Sequence, residues 1–405
     1  MHLPHSNFAM SRSQRRHPIG GAAASGNRLS ELDPIKPNPG NLRGLYYVPE
    51  GLEAGAPLVV VLHGCTQTAA DYDHGAGWSR LADRHRFAVL FPEQQRENNA
   101  HFCFNWFMVG DSQRGMGEPA SIAAMVAAMR TAHGIDRSRI FITGLSAGGA
   151  MASVMLATYP ETFAGGAIIA GLPYGCASDV REAFDCMGGR ARMPAEELAR
   201  TVRRASPHKG PWPRISVWQG SADTTVAPSN ADAIVRQWSQ LHGVPPEPSR
   251  TDQVDGYPHQ VWLNAAGEPV IERYDIIGMA HGTPLMPGSG EGQSGEARAH
   301  MLDARISSTD HIAAFFGLVP APHAQQSLPQ IAPEPASPAS RPRRPAPTSA
   351  PTHAIAAPIA LEMPDAPPPP GHARPSLSGP SLSGSSLSGV QKVIEDALRA
   401  AGLMK

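Results

Sequence analysis

Ser146 stands in the pentapeptide Gly144-Leu145-Ser146-Ala147-Gly148, directly after the β-forming run Arg139-Ile140-Phe141-Ile142-Thr143 and ahead of small, helix-compatible residues. A serine on a sharp strand-to-helix turn has its hydroxyl pushed clear of the sheet, where it can attack an electrophile. Gly144 and Gly148 fall where a Cβ would crowd such a turn. Pentapeptides of this kind also occur by chance in Ser/Gly-rich loops. Here the strand before and the helix after meet the condition that gives the motif meaning. A hydroxyl is a weak nucleophile at neutral pH, so Ser146 needs a base and an acid that orients the base.

The expected chain order is serine, acid, histidine, each partner on a loop after a strand. Residues 214–220 (Arg-Ile-Ser-Val-Trp-Gln-Gly) read as a buried strand, and Asp223 lies on the loop beyond it. An aspartate at such a place otherwise serves a turn or caps a helix. Asp252, Asp255 and Asp275 are rivals, but none follows an apolar strand in the same way. Residues 270–277 alternate like a strand and turn out through Gly278-Met279-Ala280-His281-Gly282, which makes His281 the expected general base. His242 and His259 read as parts of a helix end and a hairpin, and His300 and His311 as parts of a terminal helical region. In this arrangement His281 takes the Ser146 proton while Asp223 fixes the tautomer and stabilises the imidazolium.

The scaffold is legible around these residues. Residues 58–62 are a continuous apolar run, the pattern of a parallel strand covered on both faces, and they end in His63-Gly64-Cys65-Thr66-Gln67. The backbone N–H groups of Cys65 and Ala147 are the expected oxyanion hole, with His63 shaping the loop. Strands at 45–48, 87–91, 140–143 and 166–170 alternate with helices at 120–133 and 229–241, and the forty-odd residues before 214 allow a modest helical cap. This alternation predicts the α/β class, a mostly parallel central sheet flanked by helices, and the strand–Ser–helix turn resembles that of the α/β-hydrolase fold.

Four separated segments, His63–Gln67, Cys103-Phe104-Asn105-Trp106-Phe107, Gly144–Gly148 and Gly278–Gly282, together resemble the polyhydroxybutyrate (PHB) depolymerase family of esterases, over about residues 40–318. The resemblance implies hydrolysis of ester bonds in short-chain poly(3-hydroxyalkanoate) or its oligomers through an acyl-enzyme, without a cofactor. It also implies that Phe104 and Trp106 line the substrate cleft, core packing being the alternative for these rings. A carbohydrate-ester hydrolase, such as a feruloyl or acetyl xylan esterase, is the second reading. A catalytically silent binding protein is a third, and the intact Ser146, Asp223 and His281 argue against it.

Composition narrows the field. Charged residues make up 17% of the 405 and the formal net charge is −1, which gives no footprint for nucleic acid. No apolar run approaches the roughly 18 residues a membrane-spanning helix needs. No Cys-x-x-Cys pair or His-Glu-x-x-His motif suggests a metal. Four cysteines allow three pairings; Cys65–Cys103 and Cys176–Cys186 are favoured because each would pin a loop to the site's edge, with free buried thiols as the alternative. Disulfides and the family resemblance point to an extracellular protein. Residues 1–30 lack the apolar core of a secretory signal, which keeps a cytoplasmic location as the alternative.

The expected organisation is a disordered segment (1–40), a catalytic domain (41–318), a Pro/Ala/Ser-rich linker with Ser-Leu-Ser-Gly repeats (319–389) and an amphipathic helix (390–405). That helix is short enough to need a docking partner, either the catalytic domain or another subunit. Family members that degrade crystalline polymer typically carry a folded binding domain beyond such a linker. Its replacement by one helix shifts the expected substrates toward oligomers, amorphous polymer and small esters.

Overall fold

Strands that are apolar at every position must be covered on both faces, and the centre of this protein is built from them. A computed structural model describes residues 28–320. Along the chain run β1 (Ser30–Glu31), β2 (Arg43–Tyr47), β3 (Leu58–Leu62), α1 (Ala69–Ala76), α2 (Trp78–His85), β4 (Ala88–Glu93), α3 (Gly117–His133), β5 (Ile140–Leu145), α4 (Ala147–Thr158) and β6 (Gly165–Ile169). There follow α5 (Val180–Met187), α6 (Ala195–Ala205), β7 (Arg214–Gly220), α7 (Ser229–His242), β8 (Arg250–Val254), β9 (Tyr257–Leu263), β10 (Pro269–Ile276), β11 (Thr283–Leu285), β12 (Met301–Asp303) and α8 (Ser308–Phe315).

Ten strands form one sheet in the order β1-β2-β4-β3-β5-β6-β7-β10-β9-β8. The run from β4 to β10 is parallel throughout, and antiparallel strands extend it at both edges. Strand β3 shows how the core divides. Leu58, Val60 and Leu62 face a cluster that includes Ile122 and Met125 of α3, Met151 of α4 and Ile234 of α7. Val59 and Val61 face the other, with Tyr72 of α1, Leu81 of α2 and Ile312 of α8. The architecture is the α/β arrangement expected, and β7 and α7 fall within a residue of their predicted bounds.

Three expectations change. Residues 28–40 are folded and not disordered: β1 pairs with β2, Leu32 and Ile35 pack on the core, and the Gly40 N–H donates to Ser121 Oγ (2.8 Å). His300 is not helical. It occupies a tight turn between Arg298 and Met301, whose main chains exchange hydrogen bonds of 3.0 and 2.9 Å, and its φ is 59°. Helices α1 and α2 were not anticipated, because each spans only two turns. Residues 1–27 and 321–405, with the Pro-rich segment and terminal helix expected there, lie outside the described residues.

One buried charge cluster holds the sheet edge that leads into His281. His259 on β9 bonds Asp252 on β8 through Nδ1 (2.8 Å) and Glu272 on β10 through Nε2 (3.3 Å), and Glu272 accepts from Ser216 on β7 (2.7 Å). Burial pushes the imidazole's pKa down, but the hydrogen bonds and charges of Glu272 and Asp252 outweigh it and leave the pKa above its ordinary 6.5. Protonation therefore favours the folded state. The contribution is fully present below the unfolded value and is lost as pH rises through the raised folded one. A His259→Gln protein should melt below wild type at about pH 6, with the deficit shrinking toward about pH 9; equal deficits at both pH values would contradict this linkage.

Candidate active site

Three backbones converge where β5 turns into α4. Ser146 has φ 58° and ψ −120°, a conformation that costs a non-glycine residue strain and persists only where neighbours enforce it. Its N–H donates to the Ile169 carbonyl (2.9 Å) and its carbonyl accepts from the Ala150 N–H (2.8 Å). The flanking glycines are sterically required. A Cβ on Gly144 would lie 2.4 Å from the Gly148 carbonyl oxygen, and one on Gly148 would lie 2.4 Å from the carbonyl oxygens of Leu62 and His63. Helix α4 thus starts in backbone contact with the end of β3.

Asp223 sits on the loop after β7 and His281 on the loop after β10, neighbouring parallel strands whose register brings Gly220 opposite Ile276. His281 Nδ1 donates to Asp223 Oδ2 over 2.7 Å. The other carboxylate oxygen accepts the N–H groups of Thr225 and Val226, both at 2.9 Å, and Gln219 Nε2 adds a bond to Oδ2 (3.1 Å). With Nδ1 carrying the proton, Nε2 holds the imidazole lone pair. The three rival aspartates are engaged elsewhere: Asp252 with His259, Asp255 with His311 and Asp275 with Arg273.

Ser146 and His281 line one narrow cleft with Gly64, Cys65, Gln67, Leu145 and His300. Ser146, Asp223 and His281 are 7%, 4% and 9% exposed, so the pair Asp223–His281 works from inside the protein. The loop after β3 is fixed by a short chain of bonds. His63 Nδ1 donates to the Gly64 carbonyl (2.8 Å), and His63 Nε2 accepts the Gln94 N–H (3.1 Å). Burial holds the His63 pKa below its ordinary value, in keeping with this neutral tautomer. Since the C=O and N–H of a trans peptide point in opposite directions, pinning the Gly64 carbonyl turns the Cys65 N–H the other way. Neither that N–H nor the Ala147 N–H, at the first turn of α4, has a hydrogen-bond partner among the described residues.

Both favoured disulfides are present. Cys65–Cys103 joins the cleft loop to the loop after β4, and Cys176–Cys186 joins the loop after β6 to α5. Sequence separations of 38 and 10 give chain-entropy contributions of about 4 and about 3 kcal/mol. The two aromatic residues expected at the cleft pack with the core, the alternative given for them. Phe104 is fully buried against the His63 ring (centroids 5.0 Å apart), Trp106 is 8% exposed and edge-on to Phe107, and both belong to the core. Neither ring is among the residues that line the cleft.

Sequence reasoning missed His300. Its Nδ1 lies 3.4 Å from the His281 carbonyl oxygen and the two rings are 6.0 Å apart. The signal available was Gly282, whose Cβ would lie 2.8 Å from the His300 carbonyl oxygen and so marks a second chain crossing there. No cluster of three or more His, Cys, Asp or Glu side chains suited to a metal occurs among the described residues, and no helix among them is long and apolar enough to cross a membrane.

A serine on a strained strand–helix turn, with acid and histidine on later loops of a mostly parallel sheet, defines an α/β-hydrolase of the esterase type. The model of the family described as esterase PHB depolymerase matches residues 43–247, and the chain belongs to that family. A poly(3-hydroxyalkanoate) depolymerase C from Paucimonas lemoignei is 49% identical over 294 residues, covering 72% of this chain and 70% of that one. An acetylxylan esterase from Coprinopsis cinerea is 31% identical, over 64% of this chain and 70% of its own length. The solved acetyl xylan esterase from Aspergillus awamori superposes with a TM-score of 0.61 at 25% identity, covering 72% of this chain and 99% of that one.

The glycine contacts make a sharp prediction. Gly148→Ala forces a methyl into two carbonyl oxygens of β3's end and should cost about 3 kcal/mol or more, since backbone gives way less readily than side chains. Its melting temperature should fall clearly below wild type. A variant that melts with wild type would mean that α4 does not start this close to β3.

Proposed function

We propose that Ser146, His281 and Asp223 are the catalytic triad of a hydrolase acting on ester bonds of short-chain poly(3-hydroxyalkanoate) and its oligomers. The observation that carries the reading is one cleft lined by the strained serine and by a histidine tethered through Nδ1 to a buried carboxylate. Ser146 Oγ attacks the ester carbonyl carbon as His281 Nε2 takes its proton. The N–H groups of Cys65 and Ala147 receive the oxyanion, where each preorganised donor contributes roughly 3 kcal/mol to lowering the barrier. The imidazolium, stabilised by Asp223, then protonates the leaving alkoxide, so the C–O bond breaks and an acyl-serine remains. Water, deprotonated by the same histidine, releases the acid and restores the serine.

The substrate class is supported by the 49% identity to a poly(3-hydroxyalkanoate) depolymerase, against 31% to an acetylxylan esterase. Two disulfides, one of them at the cleft, support an extracellular location.

Ser146→Ala should fold and lose essentially all turnover, and Asp223→Asn should lower kcat by about 10⁴-fold through the wrong tautomer. A fluorophosphonate should attach to Ser146, and a mass-spectrometric adduct on another residue would dismiss the nucleophile. The substrate reading rests on a panel. Release of 3-hydroxybutyrate from its oligomers should exceed release of acetate from acetylated xylan fragments; the reverse order would favour the carbohydrate ester.

A further inference from the structure

Glu118, at the start of α3, is 1% exposed and has no cation beside its carboxyl. An acid buried without a counter-charge is costly, and it persists only where its hydrogen bonds organise something. Its carboxyl accepts Gln94 Nε2 (2.6 Å), the Asn105 N–H (2.9 Å) and Asn105 Nδ2 (2.9 Å). These partners lead to Cys65 by two routes. Gln94 Nε2 also donates to the Cys103 carbonyl (3.0 Å), and Cys103 is bonded covalently to Cys65. The Gln94 N–H holds His63 Nε2, and His63 Nδ1 holds the carbonyl of the Gly64–Cys65 peptide. One carboxyl therefore restrains Cys65 through its side chain and through its backbone.

We propose that Glu118 is a positioning residue for the oxyanion hole: it fixes the orientation of the Cys65 N–H without touching substrate. This inference rests on the assignment of that N–H as an oxyanion donor. The two routes meet at Gln94 and close a ring through Cys103, Cys65, Gly64 and His63, and Glu118 anchors that ring at Gln94 Nε2. Burial, with nearby Asp111 adding to it, pushes the carboxyl's pKa up to about 8. The energetic consequence falls on the transition state, because the ground-state ester carries little charge for the donor to meet.

The test compares full-length wild type, Glu118→Gln and Asn105→Ala on p-nitrophenyl butyrate. Rates are expressed per active site titrated with a fluorophosphonate, which removes misfolded protein from the comparison. Glu118→Gln places an amide N–H against N–H donors and should lower kcat by about 10- to 100-fold, the range a misaligned group produces, with KM within about twofold. Its affinity for a trifluoromethyl ketone, which forms an oxyanion on Ser146, should weaken by the same factor, while inhibition by butyrate stays unchanged. Asn105→Ala, which removes one hydrogen bond to the carboxyl and one accepted from Asn99, should move both quantities in the same direction by less, and it decides the matter if Glu118→Gln does not fold. A kcat per titrated site within twofold of wild type, or a rise in KM with unchanged ketone affinity, would overturn the proposal. Wild type that neither labels at Ser146 nor turns over ester would instead overturn the esterase reading itself.

Discussion

The close approach of α4 to the end of β3 is the constraint on which the site depends. Without side chains at Gly144 and Gly148 the helix begins against the carbonyls of Leu62 and His63, and this forces Ser146 into its left-handed turn. The same contact brings the first turn of α4, with its unpartnered Ala147 N–H, beside the loop that carries Cys65. The serine and the two proposed oxyanion donors are thus set by one steric fact. The acid and histidine reach the site independently, through the parallel register of β7 and β10.

Two polar systems flank the cleft and they differ in kind. On one side Asp223 collects N–H donors from Thr225, Val226, Gln219 and His281, and it transmits that order to an imidazole that must change its charge. On the other side Glu118, Gln94 and His63 hold a peptide whose charge never changes. In the proposed reaction the proton transferred from the serine moves in the first system, and the second is a frame. His300 lines the same cleft, and burial holds its pKa below the ordinary value.

The sheet and the Ser146, Asp223 and His281 positions were legible because each depends on local pattern: apolar runs, glycines at a turn and chain order. The cysteine pairing was legible for a related reason, since each favoured pair lay on loops already assigned to the site's edge. His300 was hidden because its turn is closed by Arg298 and Met301 main-chain bonds that leave no periodic trace. Glu118 was hidden because an acid in the first turn of a helix is common, and only burial distinguishes it from a solvated one. Phe104 and Trp106 show the opposite error. An aromatic cluster near a site reads alike whether it faces the ligand or the core, since which side a loop presents is a tertiary property.

The depth of the serine also bears on any solid substrate. Ser146 and His281 are under a tenth exposed and hemmed by Leu145, Gln67 and His300, so on the proposed polyester reading the cleft has room for a single strand at a time. On that reading a chain packed in a lamella has first to peel away from its neighbours before its ester reaches the serine. Turnover on a solid is then governed by a material property, the fraction of segments mobile enough to leave the surface. On the proposed reading, annealing such a solid would slow the reaction and plasticising it would speed it, with no change in the chemistry at the serine.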